Sequence, residues 1–328
     1  LLLARVNAEA DLQVHRVQVG RALRAEAFLS RNLAGLAISP DGAWLVFVPL
    51  ERAAERLGPA LTAQAARALV YQSARYCDTG AKDIGRLAAM AKLSDIGERE
   101  AIQLLMRTFD RGQPIGLGHD CGVVEWGEDY LVITTDVVNP RTHIPKGSRP
   151  EQVGWYFVAV NLSDIAAAGA RPLGFVAALS LPPSTEVDFL KGLARGIEAC
   201  AREFGIAVLG GDTKEADMVS LAGTAVGRVR KDRILLRKGA RPGDAIVVTG
   251  DLGRAGLAYL QLGNRTTRVE GIEQLLHPCP RVREGQIFSR SGAVTSCMDI
   301  SDGLGLSLAQ MAAMSGLSYT VEWEKLPL

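Results

Sequence analysis

The sequence predicts an α+β fold, because strands and helices follow one another along it without a strict βαβ repeat. A β-branched run at residues 130–138 (YLVITTDVV) is typical of a strand. A run of small and large apolar residues at 151–168 predicts a helix. We expect this helix to end at Gly169, with Pro172 following. No GxGxxG fingerprint follows the predicted strands, which argues against a dinucleotide-binding dehydrogenase.

The first third of the sequence contains signals for three elements. The turn sequence SPDG predicts a strand over residues 43–48 directly after it. Thr62 is a candidate N-cap for a helix over residues 63–74. Ser94 is the candidate N-cap of an amphipathic helix that ends near Phe109.

The later elements are predicted from the same patterns. The run at residues 130–138 is so apolar that we expect its strand to be buried on both faces. Further strands are predicted at residues 174–181, 206–209, 218–229, 245–249 and 294–300. Further helices are predicted at residues 186–204, 254–262 and 303–315.

The composition is that of a soluble globular protein, with 48% hydrophobic residues, 22% charged residues and a formal net charge of +1. This balance gives no reason to expect nucleic acid or an anionic membrane as a partner. The five cysteines form no CxxC pair, and no membrane span or signal peptide is recognisable. We therefore expect free thiols in a reducing compartment and a cytoplasmic protein.

A polar segment at residues 237–244 (RKGARPGD) is the predicted domain boundary. We accordingly expect one domain over residues 90–236 and a second over residues 237–328. Residues 1–89 form an extension of unknown role, without a recognisable chemical motif. The sequence does not open on methionine, and we expect a domain, or even a coding sequence, to begin at Met90.

Aspartates stand at the edges of the predicted elements from residue 120 onward. They are Asp120, Asp136, Asp164, Asp212, Asp299 and Asp302. Gathered carboxylates repel one another, and Mg²⁺, which prefers oxygen ligands, relieves that repulsion. A multi-aspartate Mg²⁺ site suits phosphoryl transfer, which depends on positioning and charge neutralisation. Each aspartate also has an ordinary interpretation, such as helix capping by Asp302, and spacing alone does not decide.

Seven short motifs occur in a fixed order from residue 116 onward. They are 116–121 (GLGHDC), 131–136 (LVITTD), 159–172 (AVNLSDIAAAGARP), 209–213 (LGGDT), 237–244 (RKGARPGD), 248–253 (VTGDLG) and 298–303 (MDISDG). The ordered set resembles the thiamine-monophosphate kinases of the aminoimidazole-ribonucleotide-synthetase superfamily, over nearly all of residues 90–328. The resemblance implies a two-domain fold. Its N-terminal α/β domain would form a dimer sheet or barrel, and its C-terminal domain an α+β sandwich.

The resemblance also implies a role for each matching position. The implied Mg²⁺ ligands are Asp120, Thr134, Thr135, Asp136, Asp164, Asp212, Asp299 and Asp302. The implied contacts with ATP come from Gly211, Asp212, Arg237 and Ser301, and the contact with thiamine phosphate comes from His143. The implied reaction is in-line attack by a phosphate oxygen of thiamine monophosphate on the γ-phosphate of ATP, without a covalent enzyme intermediate. The resemblance further implies a homodimer.

Three features depart from the family pattern. His119 stands where the family usually has a second aspartate beside Asp120, and it is either a surface-loop residue or a partial substitute that weakens one metal site. We favour the interpretation that activity tolerates this change. Residues 137–144 (VVNPRTHI) differ from the usual Glu-Gly-Val-His-Phe pattern, although His143 stays in step. The sequence stops at Leu328, before a stretch in which the family holds the thiamine moiety with an acidic and an aromatic residue.

Two alternatives remain open at this point. One is another ATP-dependent member of the superfamily, such as aminoimidazole-ribonucleotide synthetase, selenophosphate synthetase or the hydrogenase-maturation dehydratase. Selenophosphate synthetase would require a reactive cysteine, and Cys121 is the candidate by position. The other alternative is a non-catalytic ATP-binding homologue, in which the extension before residue 90 does the work.

Overall fold

The computed structural model describes residues 2–4, 33–38, 45–49, 92–109, 114–256, 258, 275–322 and 326. The chain divides into two compact units, one centred on residues 111–317 and the other on residues 9–110. All predicted site residues belong to the larger unit, which is therefore the one that matters for function.

Among the described residues, three short strands precede the first helix. Strand β1 (Leu2–Ala4) belongs to the larger unit, whereas β2 (Leu33–Ile38) and β3 (Leu45–Pro49) form an antiparallel pair in the smaller one. Strand β3 confirms, from Leu45 onward, the strand predicted at residues 43–48. The helix predicted over residues 63–74 lies outside the described residues.

Helix α1 (Leu93–Phe109) ends where the sequence predicts but begins differently. Ser94 lies within its first turn, and the Asp95 carboxylate accepts a hydrogen bond of 2.8 Å from the backbone N–H of Lys92. The prediction of Ser94 as the N-cap is therefore wrong. Gly97 has non-helical angles (φ 77°, ψ 169°), which place a kink one turn after the start of the helix.

The larger unit is built on a five-stranded sheet. Its strands are β4 (Gly122–Trp126), β5 (Asp129–Val138), β6 (Arg171–Leu181), β7 (Ala207–Glu215) and β8 (Ser220–Arg230). Their order is β4-β5-β8-β6-β7. Neighbouring strands are antiparallel except β6 and β7, which are parallel. Strand β7 lies at an edge of the sheet, and every one of its residues is exposed.

Helix α2 (Pro150–Ala167) lies against β5, β6 and β8, and helix α3 (Val187–Glu203) packs against α2. The aromatic rings of Phe157 and Phe175 meet edge to face at 5.3 Å between centroids, and both side chains are fully buried. The two helices approach closely at Gly154 and Gly196, where an added Cβ would collide with a backbone carbonyl of the other helix. This packing fixes α2 against the sheet.

Strand β5 alternates between the two sides of the sheet, so the prediction that it is buried on both faces is wrong. Val132, Thr134 and Val138 are buried on the side of α2. Ile133 and Val137 point the other way and are 38% and 52% exposed. We call the α2 side the covered face of the sheet and the opposite side the exposed face.

The remaining elements of the larger unit follow the sheet. Strands β9 (Ile246–Val248) and β10 (Cys297–Met298) both pair antiparallel with β1, which lies between them. The strand predicted at residues 294–300 is therefore much shorter. Helices α4 (Val282–Ser291) and α5 (Leu304–Ser315) complete the unit, and Gly316 ends α5 with a φ of 65°. Part of the helix predicted at residues 254–262 lies outside the described residues.

Neither a disulfide nor a membrane helix is found in the part of the chain that the structure describes. Four cysteines are described, and Cys121, Cys200, Cys279 and Cys297 are all free thiols. Within the same residues, each helix is too short or too polar to span a membrane. The thiols agree with the unpatterned cysteine spacing of the sequence.

Candidate active site

The site begins at the loop that leads into β4. Gly116 and Gly118 have φ angles of 83° and 92°, a region that other residues rarely adopt. These two glycines turn the chain so that Asp120 enters the protein, where its side chain is only 3% exposed. The loop therefore places a carboxylate in a buried position directly before the sheet.

Two further carboxylates meet Asp120 there. Asp164 comes from the last turns of α2 and Asp299 follows β10. One ligand oxygen from each of the three aspartates lies within 4.8 Å of the others. We call Asp120, Asp164 and Asp299 the carboxylate cluster, and three distant parts of the sequence converge in it.

Hydroxyl groups orient the carboxylates of the cluster. Thr134 on β5 donates a hydrogen bond of 2.5 Å to Asp164. Ser163 and Ser301 donate to the two oxygens of Asp299, at 3.0 and 3.2 Å. These bonds fix the directions of the carboxylate oxygens before any ligand arrives.

The pKa values of the buried carboxyl groups show how costly their shared charge is. Burial and the neighbouring Asp299 and Asp136 raise the pKa of Asp164 to about 9. Burial and the charge of Asp120 also raise the pKa of Asp299. Asp136, adjacent on the covered face, has its pKa raised to about 6 by burial and by Asp299 and Asp302. The ionised carboxylates therefore repel one another, and a bound cation would offset that repulsion.

Arg237 is the basic residue that contacts the cluster. Its guanidinium donates to Asp120 at 2.9 Å and to Gln310 of α5 at 2.7 Å. Burial alone would lower the pKa of Arg237, but the charge of Asp120 and the hydrogen bond to it raise the value. Its Nε is buried and has no hydrogen-bond partner among the described residues.

The cluster fits a divalent cation such as Mg²⁺. Mg²⁺ binds oxygen at about 2.1 Å in octahedral geometry, so opposite ligands stand about 4.2 Å apart. The three carboxylate oxygens all lie within 4.8 Å of one another, so the cluster gathers oxygen ligands on this scale. A cation held there by Asp120, Asp164 and Asp299 would remove the repulsion that raises the pKa of two of them.

The other predicted metal and ATP ligands lie at different positions. Residues in one row across the sheet share a face, and the covered-face row contains Asp136, Gly223, Ala177 and Gly211. The next row, on the exposed face, contains Val137, Ala222, Ala178 and Asp212. The structure therefore places Asp136 beside the cluster, but Asp212 on the opposite face of an edge strand.

Thr135, Ser301, Asp302 and His143 complete the predicted set. Thr135 lies on the exposed face and donates to the carbonyl of Gly223 at 2.7 Å, away from the cluster. Ser301 and Asp302 are exposed in the turn before α5. His143 is half-buried in the segment that follows β5. The metal and ATP roles predicted for Thr135, Ser301, Asp302, Gly211 and Asp212, and the substrate contact predicted for His143, stay predictions.

Two residues outside the predicted site set, Asn161 and Tyr156, also shape the site. Asn161 is fully buried and accepts a hydrogen bond of 3.2 Å from the backbone N–H of Asp136, which ties α2 to β5. Tyr156 lies 6.5 Å from His143 between ring centroids. Burial and the charges of Asp136 and Asp302 raise the pKa of Tyr156 to about 12, so its phenol stays protonated. For Tyr156 the sequence offers one signal, which is helical spacing. Asp164 follows it by two turns of α2, so the two side chains are expected on the same face of the helix.

Comparison with known proteins agrees with this architecture. Residues 118–229 match the family model "AIR synthase related protein, N-terminal domain", and residues 241–328 match the corresponding C-terminal domain. A thiamine-monophosphate kinase from Pyrococcus horikoshii is 36% identical over 237 residues, covering 72% of this chain and 74% of the relative. The chain belongs to the thiamine-monophosphate kinase family. The family resemblance and the two-domain fold predicted from the sequence are thus confirmed.

Solved structures show the same relationship within and beyond the thiamine-monophosphate kinase family. A structure described as AaThiL complexed with AMPPCP and TMP is 29% identical, with a TM-score of 0.68, covering 74% of this chain and 77% of that one. A HypE–HypF complex has a TM-score of 0.59 at 20% identity, covering 70% of this chain and 74% of that one. The second likeness shows the shared fold alone.

Proposed function

We propose that this chain phosphorylates thiamine monophosphate to thiamine diphosphate, using ATP and Mg²⁺. The observation that carries the proposal is the carboxylate cluster with Arg237 beside it, in a chain whose relatives are thiamine-monophosphate kinases. A related structure was solved with AMPPCP, an analogue of ATP, and with TMP. Those two ligands correspond to an analogue of the co-substrate and to the substrate of the proposed reaction.

The cluster and its hydroxyl donors form the phosphate-transfer end of the proposed site. Asp120, Asp164 and Asp299 would hold Mg²⁺, whose chemistry there is neutralisation of charge on the transferred phosphoryl group. Thr134 and Ser163 keep the carboxylates oriented through their hydrogen bonds. Preorganised groups of this kind stabilise developing charge without rearranging during the reaction.

Arg237 supports a phosphate-binding role for the part of the site directly beside the cluster. Its guanidinium already bridges Asp120 and Gln310, and its buried Nε has no hydrogen-bond partner in the part of the chain that the structure describes. A phosphate oxygen of ATP would satisfy that donor, because guanidinium groups bind phosphate strongly through directed N–H bonds. We further propose that Gly211, Asp212 and Ser301 contact ATP.

The acceptor phosphate of thiamine monophosphate would bind near His143 and Tyr156. The pair supports this placement by its position near the aspartates of the site. The rings of Tyr156 and His143 lie 6.5 Å apart, and burial together with the nearby Asp136 and Asp302 raises the pKa of the Tyr156 phenol. A phosphate oxygen is already ionised at neutral pH, so the reaction requires no strong general base. Attack on the γ-phosphate of ATP would then give thiamine diphosphate and ADP in one in-line step.

We propose a homodimer that uses the exposed face of the sheet. Val124, Ile133 and Val137 on neighbouring strands of this face are 51%, 38% and 52% exposed. Contiguous exposed apolar side chains are typical of protein interfaces. We also propose the domain limits predicted from the sequence, 90–236 and 237–328, with residues 1–89 as an extension. The cytoplasmic location stays a prediction.

The decisive experiment measures ADP release from Mg²⁺-ATP with thiamine monophosphate, with formylglycinamidine ribonucleotide, and with buffer alone. We expect turnover with thiamine monophosphate alone, and loss of that turnover in Asp120→Asn. Turnover with formylglycinamidine ribonucleotide instead would assign the chain to the synthetase branch. ATP binding without turnover would indicate a non-catalytic homologue.

The selenophosphate alternative is disfavoured by the environment of Cys121. Burial raises the pKa of its thiol well above the ordinary value, and the nearby charges of Asp164 and Asp120 raise it further. Reactive cysteines are thiolates with a lowered pKa in electropositive surroundings. Cys121 is therefore a buried, protonated thiol beside the cluster.

A further inference from the structure

His119 lies in the loop that delivers Asp120, and it is half-buried there. Its imidazole Nδ1 accepts a hydrogen bond of 3.2 Å from the backbone N–H of Arg237. Because a backbone amide is always the donor, Nδ1 must carry the lone pair and the ring proton must lie on Nε2. The geometry thus selects one neutral tautomer of His119.

Charged and backbone groups of two segments surround His119. Burial and the neighbouring charges of Lys238 and Arg237 lower its pKa to about 4, and a hydrogen bond to the backbone of Ile115 acts in the opposite direction. Lys238 also donates to the carbonyl of Ile115, at 3.4 Å. The imidazole therefore joins the loop before β4 to the segment that contains Arg237.

The backbone of Arg237 is held on both sides. Its N–H donates to His119, and its carbonyl accepts a hydrogen bond of 2.5 Å from the hydroxyl of Ser296, which is fully buried. With the backbone fixed, the side chain extends to Asp120 and Gln310. His119 contributes one of the two backbone restraints that set where the guanidinium lies.

We propose that His119 is a positioning residue that places Arg237 for ATP, an inference that rests on the proposed function. His119 then has a role different from both interpretations of its departure from the family pattern. It is not a loop residue without contacts, because its Nδ1 accepts a hydrogen bond from the backbone N–H of Arg237. It is not a ligand of the cluster, because the group of converging ligand atoms found among the described residues consists of Asp120, Asp164 and Asp299.

The test compares three substitutions that differ in where they place an acceptor. In His119→Asn the side-chain oxygen stands at the position of Nδ1, so the bond to Arg237 can be remade. In His119→Gln the acceptor stands further out, at the position of Nε2. In His119→Ala the acceptor is lost. His277→Ala is the matched control, because His277 is exposed and stacks on Trp155 outside the site.

Binding of a non-hydrolysable ATP analogue to the full chain is measured by calorimetry at saturating Mg²⁺, and Mg²⁺ affinity is measured separately. We expect His119→Ala and His119→Gln to weaken analogue binding about tenfold, the usual contribution of one hydrogen bond. We expect His119→Asn to bind within about twofold of the unchanged chain, and Mg²⁺ affinity to stay constant in all variants.

Two results would overturn the proposal. Unchanged analogue binding in His119→Ala would show that Arg237 needs no such restraint. Weakened Mg²⁺ affinity with unchanged analogue binding would make His119 a metal ligand. The binding readout requires no phosphoryl transfer, so a failure of thiamine monophosphate turnover would refute the proposed function without affecting this test.

Discussion

The two faces of the central sheet carry different residues although both are made by the same strands. On the covered face, Thr134 and Asp136 of β5 meet α2, and the carboxylate cluster forms at their side. On the exposed face, Ile133 and Val137 are open and apolar, and Asp212 lies on the same face but on the edge strand β7. Neighbouring residues of one strand therefore lie on opposite faces, one beside the buried carboxylates and the next on the exposed apolar surface.

Strand register decides on which face of the sheet an aspartate lies, and so whether it stands beside the cluster. Asp136 and Asp212 both follow apolar runs in the sequence, yet they belong to adjacent rows that point to opposite faces. The covered face supplies the Thr134 hydroxyl and the Asp136 carboxylate beside the cluster. The exposed face supplies an apolar surface. We therefore assign Mg²⁺ to the first and subunit contact to the second.

The largest expected effect comes from Asp164→Asn. Removing one carboxylate of the cluster should lower kcat by about 10²–10³-fold, the usual loss for one charge-stabilising group. The same change should raise the melting temperature of the metal-free protein, because Asn keeps an acceptor for Thr134 while the repulsion with Asp299 disappears. Steady-state ADP release and thermal unfolding in EDTA measure the two effects.

Asp188→Asn is the matched control for that substitution. Asp188 lies on α3, and its side chain is 92% exposed. Both kcat and the melting temperature should stay close to those of the unchanged chain. A lower melting temperature in metal-free Asp164→Asn would contradict the view that the cluster is electrostatically strained without a cation.

The next effect concerns the exposed face. The double change Ile133→Glu and Val137→Glu places two charges on the proposed subunit interface, and it should weaken dimerisation at least about 100-fold. Light scattering over a concentration series reports the mass in solution. Val187→Glu, at a 64% exposed position on α3, should leave the mass unchanged. A dimer that survives the double change would place the interface elsewhere.

Asp212→Asn should have a smaller and different effect. We expect the KM for ATP to rise about tenfold, which is the usual effect of losing one polar contact with a ligand. The melting temperature of the metal-free protein should not change, because Asp212 is exposed and lies outside the cluster. If metal-free Asp212→Asn gained stability as Asp164→Asn is expected to, the separation of the two faces would be wrong.

The smallest effect is a dependence of stability on pH. The pKa of Asp136 is raised to about 6 and that of Asp164 to about 9, so the folded protein binds these protons more tightly than the unfolded chain. The stability that they contribute is complete below the ordinary pKa of 3.8 and is lost as the pH rises through the folded values.

Metal-free protein should accordingly melt at a temperature a few degrees lower at pH 9 than at pH 6, the two folded pKa values. Excess Mg²⁺ should reverse the loss, because the ionised carboxylates bind it. Thermal unfolding at both pH values, with EDTA or Mg²⁺, checks this. A melting temperature that rises toward pH 9 in EDTA would contradict the raised pKa values.

The sequence predicted much of the fold and the family, because glycine stops, β-branched runs and ordered motifs are local signals. Helix α2 and its end at Gly169 illustrate this. What it could not predict depends on contacts between distant residues. The hydrogen bond from the backbone N–H of Arg237 to His119 joins residues that are 118 positions apart, and no local sequence pattern predicts it. The face that Asp212 occupies likewise depends on the pairing of β6 with β7.

The most direct test of the assignment is the position of the metal itself. Crystals of the full chain grown with Mn²⁺ and a non-hydrolysable ATP analogue would show the ion by its anomalous scattering. We predict an anomalous peak between Asp120, Asp164 and Asp299, on the covered side of the sheet. A peak at Asp212 on the exposed face, with none at the cluster, would contradict it.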